Sequence, residues 1–225
     1  MDGNGRWAAK RGLPRLAGHR AGAEAIRRTI RAAADVGVKY LTLYAFSVEN
    51  WKRPRDEVRG LMNLFEETLR KELQELHEKG IKINVIGHLE ELSKSTQRCF
   101  REAMELTANN KEMILNIALN YGGRVEIADA AREIARAVRD GKMALESIKP
   151  ETLADYLYTS GSPDPELLIR TSGELRVSNF LLWQIAYTEL WVTAALWPDF
   201  EKADFYQAIY EFQQRKRRFG GLEAD

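Results

Sequence analysis

Residues 40–46 read Tyr40-Leu41-Thr42-Leu43-Tyr44-Ala45-Phe46, a run of aliphatic, aromatic and β-branched side chains of strand length. A strand with one face in water alternates polar and apolar residues. One that is apolar nearly throughout is covered on both faces, as a parallel strand is between layers of helices. The flanks agree. Upstream, Ala23, Ile26, Ile30 and Ala33 recur at helical spacing until Gly37, which predicts a helix over about residues 20–36. Downstream, Val58, Leu61, Met62, Phe65, Leu69, Leu73 and Leu76 mark a long amphipathic helix between Pro54 and Gly80.

The alternation continues along the chain. A strand over 81–86 precedes a helix carrying Leu92, Thr96, Cys99, Ala103 and Leu106, and a strand over 113–120 precedes one carrying Val125, Ala128, Ala131, Ile134 and Val138. Leu167-Leu168-Ile169 and Trp191-Val192 read as short strands. Phe205, Ile209, Phe212 and Phe219 read as the stripe of a C-terminal helix ending in Arg215-Lys216-Arg217-Arg218. Strands alternating with helices give an α/β fold: a mostly parallel central sheet flanked by helices, in a single domain over residues 1–225.

Composition narrows the function. Hydrophobic residues make up 44% and charged residues 30%, and the formal net charge of +1 supplies no global field for nucleic acid or an anionic membrane. Cys99 is the only cysteine, which rules out an internal disulfide, disfavours a cysteine-rich zinc site and fits a reducing cytoplasm. The longest apolar stretches, such as 41–48, are far short of the roughly 20 residues that span a bilayer. The N-terminus is polar and glycine-rich, unlike a secretory signal.

In open α/β sheets ligands gather beyond the carboxyl ends of the strands, so the residues following each apolar run carry the chemistry. Those junctions read Ser47-Val48-Glu49-Asn50-Trp51-Lys52-Arg53, Asn120-Tyr121-Gly122-Gly123-Arg124, and Arg170-Thr171-Ser172-Gly173-Glu174 with Arg176 and Ser178 beyond. A fourth polar segment opens the chain: Asp2-Gly3-Asn4-Gly5-Arg6-Trp7, then Arg15 and Gly18-His19-Arg20. Its glycines let backbone N–H groups approach an anion, Asp2 offers the hard oxygen that Mg²⁺ prefers, and Arg6, Arg15 and Arg20 offer forked donors to phosphate. Read alone, the same segment is also an Asn-Gly turn among solvated arginines. Arginines converging on one rim repel unless anions compensate them, and two diphosphates would do so; each arginine singly also suits a strand cap or an acid partner. Glu189 either pairs with an arginine or helps Asp2 hold a cation, and His19 is a phosphate donor, a proton-transfer group or a structural donor. There is no P-loop and no His-Glu-x-x-His pattern. The remaining chemistry is metal-assisted loss of diphosphate beside an apolar cavity.

These motifs resemble the cis-prenyltransferases, in particular the bacterial undecaprenyl diphosphate synthases. The likeness runs through residues 1–8, Gly18-His19, residues 46–54, 120–124, 170–174 and 176–184, Trp197-Pro198-Asp199-Phe200 and Arg217-Arg218-Phe219-Gly220-Gly221. The resemblance implies condensation of isopentenyl diphosphate units onto an allylic diphosphate, usually farnesyl diphosphate, with new cis double bonds. The product would be a long-chain polyprenyl diphosphate, undecaprenyl diphosphate for the cell-wall lipid carrier, or a shorter-chain relative. By similarity Asp2 holds Mg²⁺ and assists departure of the allylic diphosphate. That group rests on the N–H groups of Gly3, Asn4, Gly5 and Arg6 and the side chains of Arg6, Arg15, His19 and Arg53, beside Trp7. Arg170, Arg176 and Ser178 take the diphosphate of isopentenyl diphosphate, with Glu189 a further Mg²⁺ ligand, while Ser47, Asn50 and Trp51 lie near the reacting carbons and the departing proton.

The resemblance further implies a hydrophobic tunnel for the prenyl chain, with Ala45, Leu61, Met62, Phe65 and Leu115 as candidate walls, and a homodimer whose basic tail reaches the neighbouring site. It implies a cytoplasmic enzyme with peripheral membrane contact on product release. The family places an apolar strand directly before the Asp-Gly-Asn-Gly-Arg-Trp segment, and here only Met1 precedes Asp2: either the chain starts late relative to its natural gene or the sheet lacks its central strand. Two other classes fit these residues less well. A non-catalytic partner subunit tends to lose the metal aspartate and diphosphate arginines that this chain keeps, and a nucleic-acid binder would show a continuous basic stripe.

Overall fold

A computed structural model describes residues 1–216. In chain order the elements are α1 (Asn4–Ala9), α2 (Arg15–Asp35), β1 (Tyr40–Ser47), α3 (Arg55–Glu78), β2 (Ile81–Ile86), α4 (Lys94–Leu106), β3 (Met113–Tyr121), α5 (Gly123–Arg139), α6 (Pro150–Asp155), β4 (Leu167–Arg170), β5 (Glu189–Val192) and α7 (Lys202–Gln213). They fall into two compact units. The sheet unit comprises Val38–Pro163 with Val177–Trp183, and the terminal unit comprises Met1–Gly37, Asp164–Arg176 and the chain from Gln184 on.

The sheet unit is built on three parallel strands in the order β1-β3-β2. Parallel pairing demands long crossovers, and α3 and α4 provide them. Register sets the layers: Leu41 pairs with Leu115 and Leu43 with Ile117, while Ile83 and Val85 meet the same two β3 residues from the other side. Leu43, Ile83 and Leu115 are buried, as are Leu61 and Leu69 of α3 and Phe100 and Ala103 of α4. On the opposite face Thr42, Asn116 and Asn84 stand in one row. The Asn84 amide donates to Asn116 Oδ1 at 2.8 Å, which meets the polar demand of a side chain only 2% exposed.

Near its carboxyl end the β1–β3 ladder slips twice. Tyr44 pairs with Ala118 and Phe46 with Leu119, leaving Ala45 as the extra residue on β1; Ser47 then pairs with Tyr121, leaving Asn120 as the extra residue on β3. Bulges of this kind re-aim side chains beside functional sites. Asn120 takes the left-handed conformation, φ 50°, which asparagine tolerates better than most residues.

The terminal unit holds the short parallel pair β4–β5, with Leu167 opposite Glu189 and Arg170 opposite Val192. α2 packs on α1, on the turn at Trp197–Asp199 and on α7. The helix expected from residue 20 begins at Arg15, where Pro14 presets the first turn. α7 ends at Gln213, so Arg215 and Lys216 follow the helix, and Arg217, Arg218, Phe219 and the glycine tail lie outside the described residues. The glycine-rich opening is helical from Asn4, and α6 is a single turn that apolar periodicity does not reveal.

Candidate active site

Asp2 is fastened by its own main chain. Its N–H donates to Thr171 Oγ1 (3.0 Å), and its carbonyl accepts from Thr171 Oγ1 (2.9 Å), Ser172 Oγ (2.8 Å) and the Trp197 N–H (2.9 Å). The junction after β4 therefore clamps the residue that opens the chain. Gly3 follows at φ 105°, a backbone open to glycine and poorly to other residues, and a Cβ there would stand 2.4 Å from Ser172 Oγ.

The Asp2 carboxylate lies within a ring of cations. Oδ1 accepts from the Gly3 N–H at 2.7 Å and lies 3.3 Å from Arg6; Oδ2 lies 2.9 Å from Arg170 and 3.9 Å from Arg176. Burial opposes its ionisation, but the Arg170 guanidinium, the Gly3 N–H and Arg6 outweigh it and hold the group below the usual carboxylate range. Glu174 bridges the same arginines, 2.8 Å from Arg6 and hydrogen-bonded to Arg176, and it too is held ionised, first by that bond. Three guanidiniums thus face two carboxylates.

α1 points its first turn into this region. The N–H groups of Asn4, Gly5 and Arg6 have no carbonyl one turn back within the helix, so they are donors for an outside acceptor. The Arg15 guanidinium overlies Gly5, 3.2 Å from where a Cβ would stand, so a larger residue there would displace it by a few tenths of an ångström. Gly18 lets α2 cross α1 closely, since a Cβ there would stand 2.0 Å from the Asn4 carbonyl; His19 beside it is buried and Arg20 exposed. Trp7 turns its indole N–H to Asp199 (2.6 Å) under the Arg11 guanidinium, which anchors α1. Glu189, at the start of β5, accepts from Arg215 at 2.9 Å. Among the described residues no group of three His, Cys, Asp or Glu side chains is placed to hold a metal by itself.

In the sheet unit, residues 48–52 form a 3-10 turn after β1. The Ser47 N–H donates to Asn50 Oδ1 at 3.1 Å, a local bond that fixes the loop. Arg53 pairs with Glu57 at 3.2 Å, and the Trp51 indole donates to Asn120 Oδ1 at 2.7 Å. Ser178 has φ 48° and its carbonyl accepts from Tyr44 Oη at 3.4 Å. A cavity of about 540 Å³ opens beside this loop, lined by Trp51, Arg53, Val58, Met62, Glu66 and Leu92 among others. Of the candidate tunnel walls, Met62 lines it; Leu61 and Leu115 are buried, and Ala45 and Phe65 are half-buried.

A family model described as undecaprenyl diphosphate synthase matches residues 1–220. An isoprenyl transferase from Heliobacterium mobile is 55% identical over 223 residues, 99% of this chain and 86% of that protein. The chain belongs to the undecaprenyl diphosphate synthase family. It is a cis-prenyltransferase. The isoprenyl transferase of Bacillus subtilis (strain 168) is 54% identical over 222 residues, 99% of this chain and 85% of that protein. Among solved structures, lavandulyl diphosphate synthase from Lavandula x intermedia, in complex with dimethylallyl diphosphate, aligns with a TM-score of 0.95 at 37% identity over 98% of this chain and 95% of its own. A Campylobacter jejuni structure described as a probable undecaprenyl diphosphate synthase aligns with a TM-score of 0.78 at 30% identity, covering 89% and 92%.

For a member of this family the terminal unit brings together Asp2, Gly3, Arg6, Arg170 and Arg176, and seats Arg15 on Gly5. The sheet unit groups Ser47, Asn50, Trp51 and Arg53 on one turn. Thr171, Ser172, Glu174 and Asn120 stand within the sequence junctions with no role legible there. Their importance depends on partners 29 to 170 positions away, such as Glu91 for Asn120 and Asp2 for Ser172, and no local pattern marks those.

Proposed function

We propose that this prenyltransferase condenses isopentenyl diphosphate onto an allylic diphosphate, farnesyl diphosphate, and repeats the step to undecaprenyl diphosphate for a cell-wall lipid carrier. The observation that carries the reading is the Asp2 carboxylate, held ionised among Arg6, Arg170 and Arg176. Mg²⁺ commonly takes one or two carboxylates and completes its shell with water and substrate phosphate, so a lone, ionised, partly exposed Asp2 fits it without a three-residue cage. Asp2, with Glu189 as a further ligand, would hold the ion, which supplies charge to the departing diphosphate.

In this reading the first-turn N–H groups of α1, with Arg6, Arg15, His19 and Arg53, bind the allylic diphosphate. Arg170, Arg176 and Ser178 bind the diphosphate of isopentenyl diphosphate and so fix the two substrates in register. The allylic carbon–oxygen bond breaks and diphosphate leaves. The terminal alkene carbon of isopentenyl diphosphate bonds to the allylic carbon, and one proton departs beside Ser47 and Asn50 to create the new double bond. Glu174 holds Arg6 and Arg176 until the phosphates replace it. The lavender enzyme, solved with dimethylallyl diphosphate, supports an allylic diphosphate as one substrate.

A homodimer, a cytoplasmic location, an apolar tunnel past Met62 and peripheral membrane contact on product release belong to the same proposal. The test is to incubate the protein with farnesyl diphosphate, labelled isopentenyl diphosphate and Mg²⁺, then size the products. A cis-polyprenyl ladder that disappears with chelator and falls at least about a thousand-fold in Asp2→Ala supports the reading. Elongation indifferent to Mg²⁺ and to Asp2 sinks it, while a ladder ending short refutes only the undecaprenyl product.

A further inference from the structure

The bulge at Asn120 bears on the loop that follows β1. Trp51 is 45% exposed, and a side chain so far in solvent samples several rotamers unless something tethers it. Two groups do. The Phe46 ring meets the indole edge-on at 5.2 Å, and Asn120 Oδ1 accepts the indole N–H at 2.7 Å.

Asn120 has no freedom of its own. It is 2% exposed, and its amide N–H groups donate to Glu91 Oε2 at 2.8 Å and to the His88 carbonyl at 3.1 Å. With both amide protons directed at acceptors and the oxygen at an indole donor, a flipped amide would oppose donor to donor and oxygen to carboxylate. Glu91 is held in turn by His88 Nδ1 at 3.1 Å, and His88 Nε2 reaches Asp129 Oδ2 at 2.6 Å and Tyr158 Oη at 2.8 Å. The tether therefore ends on α5, a rigid 17-residue helix, through Asp129. The left-handed backbone and ladder slip at Asn120 are a strained arrangement, and its product is an amide oxygen aimed at Trp51.

We propose that Asn120 is a positioning residue for prenyl transfer: its amide oxygen fixes the indole of Trp51 in the orientation that lines the path of the reacting chain. The proposal rests on the reading that Trp51 lies near the reacting carbons. Asn120 touches no substrate in it and acts through Trp51 alone.

A double-mutant cycle tests this. Trp51→Phe removes the N–H and keeps a ring; Asn120→Gly removes the acceptor and keeps a residue at ease with φ 50°. Kinetic constants for both substrates are measured for each single variant and the double, with thermal midpoints alongside. Each single change is expected to lower kcat/KM about three- to ten-fold, the value of one ordinary hydrogen bond, with the double falling no further than the worse single. Losses that multiply in the double variant overturn the proposal, since Asn120 then acts independently of Trp51. So does an unchanged kcat/KM in folded Asn120→Gly.

If Asn120→Gly fails to fold, Asn120→Asp gives a separate test. It keeps an oxygen for the indole and loses the donor to Glu91, so near-parental kcat/KM with a lowered thermal midpoint supports the tether, and a ten-fold loss of kcat/KM overturns it. Trp51→Ala separates the underlying reading: full activity there refutes the placing of Trp51 by the substrate, whereas a deep loss with a multiplicative cycle refutes only the role of Asn120.

Discussion

At Gly3 a single missing Cβ decides where the acid group stands. Alanine there would have to hold φ 105° and place its methyl 2.4 Å from the Ser172 hydroxyl that grips Asp2. Strain of that kind costs about 1–3 kcal/mol and would move the very carbonyl that the hydroxyl holds. Gly3→Ala is expected to lower the thermal midpoint by about 2–10 °C and kcat/KM at least about ten-fold, read by calorimetry and the elongation assay. His88 supplies a second test. Burial lowers its pKa, but hydrogen bonds to Asp129 and Glu91 prevail and raise it, while Tyr158 faces the same nitrogen as Asp129, which also binds Arg132. A raised histidine stabilises fully below its unfolded pKa of 6.5, and the contribution fades as pH climbs through the higher folded value. Asp129 is lowered, so its contribution is present above 3.8 and fades as pH falls through its folded value. Urea midpoints of parent and His88→Gln should therefore differ most below about pH 6.5 and converge as pH climbs above it; a difference that grows with pH would contradict this.

Among the elements, the crossing of α1 and α2 is the most exposed to a small change. Gly18→Ala improves helix propensity by about 1 kcal/mol, yet its methyl meets the Asn4 carbonyl at 2.0 Å, and the backbone must move. A net loss of about 1–3 kcal/mol and weaker binding of the allylic diphosphate are expected, measured by denaturant titration and by KM. The strands are legible because punctuation bounds them: Gly80 opens β2, and the apolar run of β3 is buried as a central parallel strand is, whereas β1, at the end of the three-strand order, is half-buried apart from Leu43 and Phe46, with Tyr40 exposed, so the expected cover on both its faces is not met. α1 is not legible, since Asn4 and Gly5 are poor helix formers and six residues cannot sustain a helix alone; packing on α2 and the Trp7–Asp199 bond hold it. The site was legible as residue types at strand ends and illegible as geometry. Nothing local in Thr171 or Ser172 announces a bond to Asp2, and nothing in Glu174 announces that it bridges Arg6 and Arg176.

For the whole molecule, a net charge of +1 hides a local excess of cations around Asp2. A ligand that compensates them binds the folded state alone and shifts the unfolding equilibrium by mass action. Farnesyl diphosphate with Mg²⁺ at about 100 times its Kd should add about 2.7 kcal/mol, a rise of about 5–10 °C, and Arg6→Ala should abolish most of the rise. The terminal unit also joins the two ends of the chain, and this orders events during synthesis. Ser172, which grips the Asp2 carbonyl, is made 170 positions after it. At about 5–20 residues per second that interval is roughly 10–35 s, and Trp197 follows later still. Asp2 thus waits on residues made long after it, so a nascent chain stalled before Thr171 carries its acid group unanchored however well the sheet has formed.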